Sequence, residues 1–135
     1  VNKKQISHPK DRPQAQILTR NLVAEGWAAA DLHVHTLHSY DVIPTWQVDP
    51  LTLFRKAQRL GMTYIAFTDH DTMAAYDQIG WTREGLVPAV EVKILDPKKV
   101  GHTVHVNVFT LDCTQFREIQ IIARIAQASK CWSPI

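Results

Sequence analysis

Apolar residues recur along this chain in two rhythms, one of period 3.6 and one of period two. Their alternation predicts interleaved helices and strands. Residues 1–12 are polar. Ile17, Leu18 and Leu22 then form one stripe, which predicts a helix from about Pro13 to Glu25 with Gly26 as its stop. A buried strand is predicted from about Ala28 to Val34, and His35 to Gln47 reads as a loop with Ser39, Asp41 and Pro44 as turn formers. Asp49-Pro50 is a helix start, with Asp as cap and Pro in the first turn. Leu53, Phe54, Ala57 and Leu60 follow at helical spacing until Gly61. Thr63 to Phe67 is a second buried strand, and Thr68 to Asp71 a polar loop at its carboxyl end. A helix is predicted from Thr72 to Ile79, then a third strand from Leu86 to Val90 that ends at Glu91. Val92 to Lys99, with Asp96-Pro97, reads as a turn or excursion. Thr103 to Thr110 alternates as a fourth strand, with Val104, Val106 and Val108 on one face and His105 and Asn107 on the other. A last helix is predicted from Thr114 to Ala128, with Phe116, Ile119, Ile122, Ala123 and Ala126 on its apolar face.

This order predicts an α/β chain with a parallel sheet. It divides into an extension at 1–27, one α/β domain at 28–128 and a tail at 129–135. The polar residues gather after the strands, at one end of the sheet, where α/β folds place their ligand sites.

Composition changes this picture little. The chain has 135 residues, 45% hydrophobic and 21% charged, which suits one soluble domain. The net charge of +2 is scattered, so no basic arm for nucleic acid is evident. The polar first residues do not read as a secretory signal, and no apolar run is long enough to span a membrane. Two cysteines, Cys113 and Cys131, make neither a disulfide framework nor a metal knuckle and are expected as reduced thiols of a cytoplasmic protein.

The histidines carry the chemistry. His33 and His35 are one residue apart at a strand end, so their side chains share a face and can hold one transition metal. Alone, such a pair is as well explained by ordinary hydrogen bonds at a strand end. Asp31 shares their face and is placed to orient an imidazole or to cap a backbone group. His38 lies outside the alternation and is expected toward solvent or substrate. Asp41 is close enough in the loop to reach the same site; alone it is an ordinary turn former. Asp69-His70-Asp71 packs two carboxylates around an imidazole, which is costly without a cation or hydrogen bonds. His70 is the ligand candidate there, with Asp69 or Asp71 to fix its tautomer or move a proton, while Asp71 or Thr72 can also cap the next helix. Glu91, after an apolar strand, can bridge two cations through its two oxygens. His105 is preferred over His102 because alternation gives it a defined face. Each residue has a plain structural explanation; their recurrence after successive strands points to a multinuclear metal site.

The run Asp31-Leu32-His33-Val34-His35-Thr36-Leu37-His38-Ser39-Tyr40-Asp41 resembles the first motif of the polymerase and histidinol phosphatase (PHP) family, Asp-x-His-x-His-[Thr/Ser]-x-x-Ser-x-Asp. Thr68-Asp69-His70-Asp71 resembles its second motif. Pro88-Ala89-Val90-Glu91 is similar to the third, with Ala89 where glycine is usual, and His105-Val106-Asn107-Val108-Phe109 to the fourth. The resemblance covers about residues 28–112. It implies the amino-terminal part of a distorted seven-stranded, TIM-like β/α barrel with parallel strands, and up to three divalent ions (zinc, manganese or iron). It further implies that His33, His35 and Glu91 hold the first ion. Glu91 would bridge to a second that His105 also ligates, and Asp41 and His70 would hold the third. The family's later ligands, another histidine and an Asp-x-His pair, have no counterpart after His105 and Asp112.

The activity so implied is hydrolysis of a phosphate ester by a metal-bridged hydroxide, with Asp69 or Asp71 assisting proton transfer. The substrate would be a nucleotide, an oligonucleotide end or a small phosphomonoester, and Arg83, Lys93 and Lys98 are the cationic candidates to clamp it. The alternative is a metal-binding or regulatory module without catalysis.

Overall fold

The computed structural model describes residues 20–95, 103–109 and 112–128. The expected helix is present over 20–24, and its earlier part, with Ile17 and Leu18, lies outside the described residues. The strands are β1 (Ala30–Val34), β2 (Tyr64–Phe67), β3 (Ala89–Leu95) and β4 (Thr103–Phe109). The helices are α1 (Pro50–Arg59), α2 (Ala74–Ile79) and α3 (Cys113–Ala128), with a short 3-10 turn at Trp46–Val48.

Local sequence accounts for α1 closely. The Asp49 carboxylate accepts from Thr52 N–H at 3.0 Å, Pro50 fills the first turn, and Gly61 leaves the helix at φ +87°. Phe54 and Ala57 are buried on its inner face. The core beneath the sheet joins these to Ile65, Phe67, Met73, Tyr76, Ile79, Leu86 and Val90, with Phe116 and Ile119 of α3 packed against it. The side chains of Ile122, Ala123 and Ala126, from the same predicted stripe, lie outside the described residues.

Strict pairing gives two two-stranded sheets, β1 with β2 in parallel and β3 with β4 in antiparallel. The two are joined by backbone hydrogen bonds at either end, with one side chain between them. Ile65 N–H donates to Gly85 O and Val87 N–H to Ile65 O. Further along, Glu91 N–H donates to Asp69 O and Asp71 N–H to Glu91 O. Between them the hydroxyl of buried Tyr76 occupies the ladder. It accepts from Phe67 N–H and Ala89 N–H, both at 2.9 Å, and lies 2.7 Å and 2.9 Å from the carbonyls of Phe67 and Val87. One phenol thus replaces two interstrand bonds, which is why pairing between β2 and the chain from Gly85 to Glu91 registers only as isolated parallel bridges. Burial raises the Tyr76 pKa well above its usual value, so the hydroxyl keeps its proton. Gly85 opens this segment at φ +78°, and a Cβ there would meet Thr63 O at 2.9 Å.

Four expectations are corrected. The sheet is parallel only through the start of β3, and β4 returns antiparallel. Residues Val92 to Leu95 are strand rather than turn, because β4 supplies their ladder from Leu95↔Thr103 back to Val92↔Val106. The Asp96-Pro97 turn signal and His102 lie outside the described residues. Strand β1 is exposed rather than buried, because β2 is its one paired neighbour among the described residues. The expected third strand is displaced for the same reason as the ladder is broken: Leu86 to Pro88 runs beside β2 while Tyr76 separates the two chains.

The seven-stranded barrel that the resemblance implies is not present among the described residues; what is present is a mixed α/β half-layer with a hairpin at one side. No helix among the described residues is long and apolar enough to cross a membrane.

Candidate metal centre

Backbone geometry gathers six side chains. His33 is in β1 and His35 just beyond its end, so their rings stack with centroids 5.2 Å apart and their Nε2 atoms lie 3.1 Å apart. The following loop folds back on itself. Thr36 donates through both N–H and Oγ–H to the two oxygens of Asp69, the latter at 2.6 Å, and Ser39 N–H donates to Thr36 O. This brings Asp41 to His70, with Asp41 Oδ2 3.4 Å from His70 Nε2. From the hairpin, Glu91 and Asn107 are register partners, as are Lys93 and His105. Residues opposite one another share a face of the sheet, so all four lie on one side.

Glu91 sits at the centre. Its Oε2 is 3.2 Å from His33 Nε2 and 3.0 Å from His35 Nε2, while its Oε1 is 3.1 Å from His105 Nδ1. His70 fills the space between, packed edge-on against both His35 and His105. Three overlapping groups of donor atoms result: His33, His35 and Glu91; His35, Asp41 and His70; and His70, Glu91 and His105.

These groups fit divalent ions on two counts. Ligands about 2.1 Å from one ion stand about 3.0–3.4 Å from each other; the separations from Glu91 to His33, His35 and His105 fall in that range, while that to His70 Nδ1 is 3.8 Å. Second, Glu91 Oε2 and His70 Nδ1 are buried without a hydrogen-bond partner. Imidazole nitrogens stand close to Glu91 Oε2, yet none aims an N–H at it. A buried carboxylate oxygen faced by imidazole nitrogens but given no hydrogen bond suits an ion site, and its cost without an ion is substantial.

Hydrogen-bond bookkeeping separates the overlapping groups. Ser39 Oγ donates its proton to Asp41 Oδ1 at 2.6 Å and accepts from His70 N–H at 3.2 Å. Its remaining lone pair faces His35 Nδ1 at 3.0 Å, so Nδ1 carries the proton and donates. The lone pair of His35 is then on Nε2, beside His33 and Glu91. His35 therefore belongs to the first group, and Asp41 with His70 Nε2 forms a separate pair. The Ser39 hydrogen bond also holds the exposed Asp41 carboxyl below its ordinary pKa, helped by the nearby imidazoles of His35 and His70.

The remaining sequence candidates stand elsewhere. Both oxygens of Asp69 are engaged by Thr36, and burial raises its pKa against those hydrogen bonds, so it anchors the loop. Asp71 takes the left-handed conformation at φ +54° and accepts from Lys93 N–H at 3.0 Å, which fastens β3 to the end of β2. Asp69 thus spends both oxygens on Thr36, and Asp71 spends one on Lys93 N–H. His38 is tied to Gln78 Oε1 at 2.8 Å, and Gln78 in turn donates to Asp49. Arg83 donates to Ile79 O and lies over the Phe54 ring, away from the site. Lys98 lies outside the described residues, so Lys93, on the face of Glu91, is the described cation beside the cluster. Asp31 is exposed on β1, and the partner of His33 Nδ1 is Asn107 instead.

Sequence reasoning missed Ser39, Asn107 and Tyr40. Ser39 read as a turn former, although it stands four residues after His35 and two before Asp41. Asn107 is two residues from His105 on the same face, a signal that alternation contains. Tyr40 stacks on His70 with centroids 4.7 Å apart and is otherwise exposed, and nothing in its sequence setting marks it.

No family model matches the chain, and no curated protein matches it. Among solved structures it is similar to an amidohydrolase from Chromobacterium violaceum, determined with bound sulfate and without metal. The identity is 24%, over 76% of this chain and 36% of that one, with a TM-score of 0.49. The chain thus spans about a third of that protein's length.

Proposed function

We propose that this chain carries the ion-binding part of a PHP-type, metal-dependent phosphoesterase. The observation that carries the reading is Glu91, whose two oxygens are divided between the His33–His35 pair and His105. A carboxylate shared in this way suits two adjacent divalent ions, and such pairs stabilise both the attacking and the leaving oxygen of an in-line displacement at phosphorus. His33, His35 and Glu91 would hold one ion, Glu91 and His105 a second with His70 Nδ1 nearby, and Asp41 with His70 Nε2 a third. The all-nitrogen and oxygen donor set suits zinc, manganese or iron.

Bound ions would supply the positive charge that acidifies water and neutralises phosphoryl oxygens. The protein's own residues do the rest. Ser39 fixes which nitrogen of His35 is free, the Thr36–Asp69 lock keeps the loop closed against β2, and Lys93 offers a cation to an anionic substrate. The side chains of His33, Asp41 and His105 are 55%, 46% and 37% exposed, so a phosphate ester has access from one side. Nucleotides, oligonucleotide ends and small phosphomonoesters all present that group. A cytoplasmic setting suits the exposed free thiol of Cys113.

Hydrolysis of an aryl phosphate with added manganese tests the reading. Turnover by the chain, lost in both His33→Ala and Glu91→Ala, supports it. Turnover retained in either variant overturns it. Ion binding without turnover selects the alternative, a metal-binding or regulatory module.

A further inference from the structure

The ladder that pairs β3 with β4 sets Asn107 directly across from Glu91, and the Asn107 amide reaches over to His33. Its Nδ2 lies 2.9 Å from His33 Nδ1, while its Oδ1 is buried and has no partner. In that orientation Nδ2–H donates to an unprotonated Nδ1. The proton of a neutral His33 then sits on Nε2, 3.1 Å from His35 Nε2 and 3.2 Å from Glu91 Oε2, which blocks the ion site. A half turn of the amide exchanges its two ends within the same volume. Oδ1 then accepts from Nδ1–H, and the Nε2 lone pair joins those of His35 and Glu91.

We propose that Asn107 is a positioning residue that selects the tautomer of His33, its amide oxygen accepting the Nδ1 proton so that Nε2 is free for a divalent cation. This rests on the reading of His33 as an ion ligand. Asn107 then does for His33, from β4, what Ser39 does for His35 from the loop after β1. Each imidazole of the first group has its outer nitrogen occupied by a neutral hydrogen-bonding side chain, the usual means of fixing a ligating histidine.

The test uses the whole chain, stripped of metal, at a pH where the imidazoles are neutral. Nitrogen-15 NMR of the His33 ring reads the tautomer, and competition against a chelator reads zinc affinity. Protonated Nδ1 is expected in the natural protein. Asn107→Leu removes the acceptor, so the Nδ1–H tautomer is lost and zinc affinity falls about 10- to 100-fold. Asn107→Asp keeps an acceptor and has no donor, so the Nδ1–H tautomer is retained. It also serves as the folding control, since it preserves size and shape. Protonated Nε2 in the natural protein, loss of Nδ1–H in Asn107→Asp, or no change of either readout in Asn107→Leu overturns the proposal. His33→Ala separates the two levels. Unchanged zinc affinity there defeats the ligand reading itself. Reduced affinity there with no effect of Asn107→Leu defeats only the role of Asn107.

Discussion

The half of the molecule built on β1, β2, α1 and α2 brings four side chains to the donor cluster and the half built on the β3–β4 hairpin brings two, and the halves are held together very differently. In the first, β2 is buried, and the loop after β1 is locked by Thr36 and Asp69. In the second, the inner end of the hairpin is core, with Val90 fully buried. Its outer end is open, with Val106, Ile94 and Val104 at 38%, 48% and 51% exposure. Stability therefore concentrates in the parallel half, whereas Glu91, His105 and Asn107 hang from a hairpin anchored through Tyr76 and Asp71. The difference teaches that a donor cluster can rest on one buried wall, provided the more exposed ladder is pinned where it meets that wall.

Substitutions can break this division. The largest effect is expected at the centre of the cluster. Glu91→Gln should lower zinc affinity about 1,000-fold, a decade beyond the loss of an outer hydrogen-bond partner, as read by chelator competition, with little loss of thermal stability. Tyr76→Phe should do the reverse. Backbone groups of Phe67, Val87 and Ala89 lose their shared partner, and urea unfolding should register a loss of about 3 kcal/mol. Asp69→Ala strands both donors of Thr36 and should cost about 2 kcal/mol, with Asp69→Asn recovering part of it in the same assay.

Asp49 sharpens the comparison at lower energy. Its carboxyl is held below the ordinary value, chiefly by Thr52 N–H. A group whose folded-state pKa is depressed stabilises fully above its unfolded value, here 3.8, and loses that contribution as pH falls through the folded one. Asp49→Ala should cost about 1 kcal/mol at neutral pH. Asp49→Asn should keep the cap and flatten the acid limb of a stability–pH curve. The smallest effect is expected on the outer hairpin face, where Val106→Thr should change stability by less than about 0.5 kcal/mol.

Much of this was legible in the sequence where one local rule decided. Asp49-Pro50 and Gly61 bounded α1 because capping is local chemistry, and Thr63 to Phe67 marked β2 because Ile65 to Phe67 form an unbroken buried apolar run. The positions of His33, His35, Asp41, His70, Glu91 and His105 could be proposed from strand ends and from motif resemblance. The direction of β4 could not, because alternation is the same in parallel and antiparallel strands. Nor could Tyr76, whose helical spacing says core but not that its hydroxyl would occupy a ladder. Asp69 read as chemistry because a carboxylate beside a histidine is ambiguous until its partner, Thr36, is known from another part of the chain.

The central claim is that imidazoles from β1 and its end, from the loop after β2 and from β4 share ions around one carboxylate. X-ray absorption at the zinc edge, on the zinc-loaded whole chain, tests it most directly. The account predicts nitrogen and oxygen neighbours at about 2.0–2.1 Å with the outer-shell signature of at least two imidazoles per ion. A shell of oxygen alone, or a chain that retains no zinc after dialysis, would contradict it.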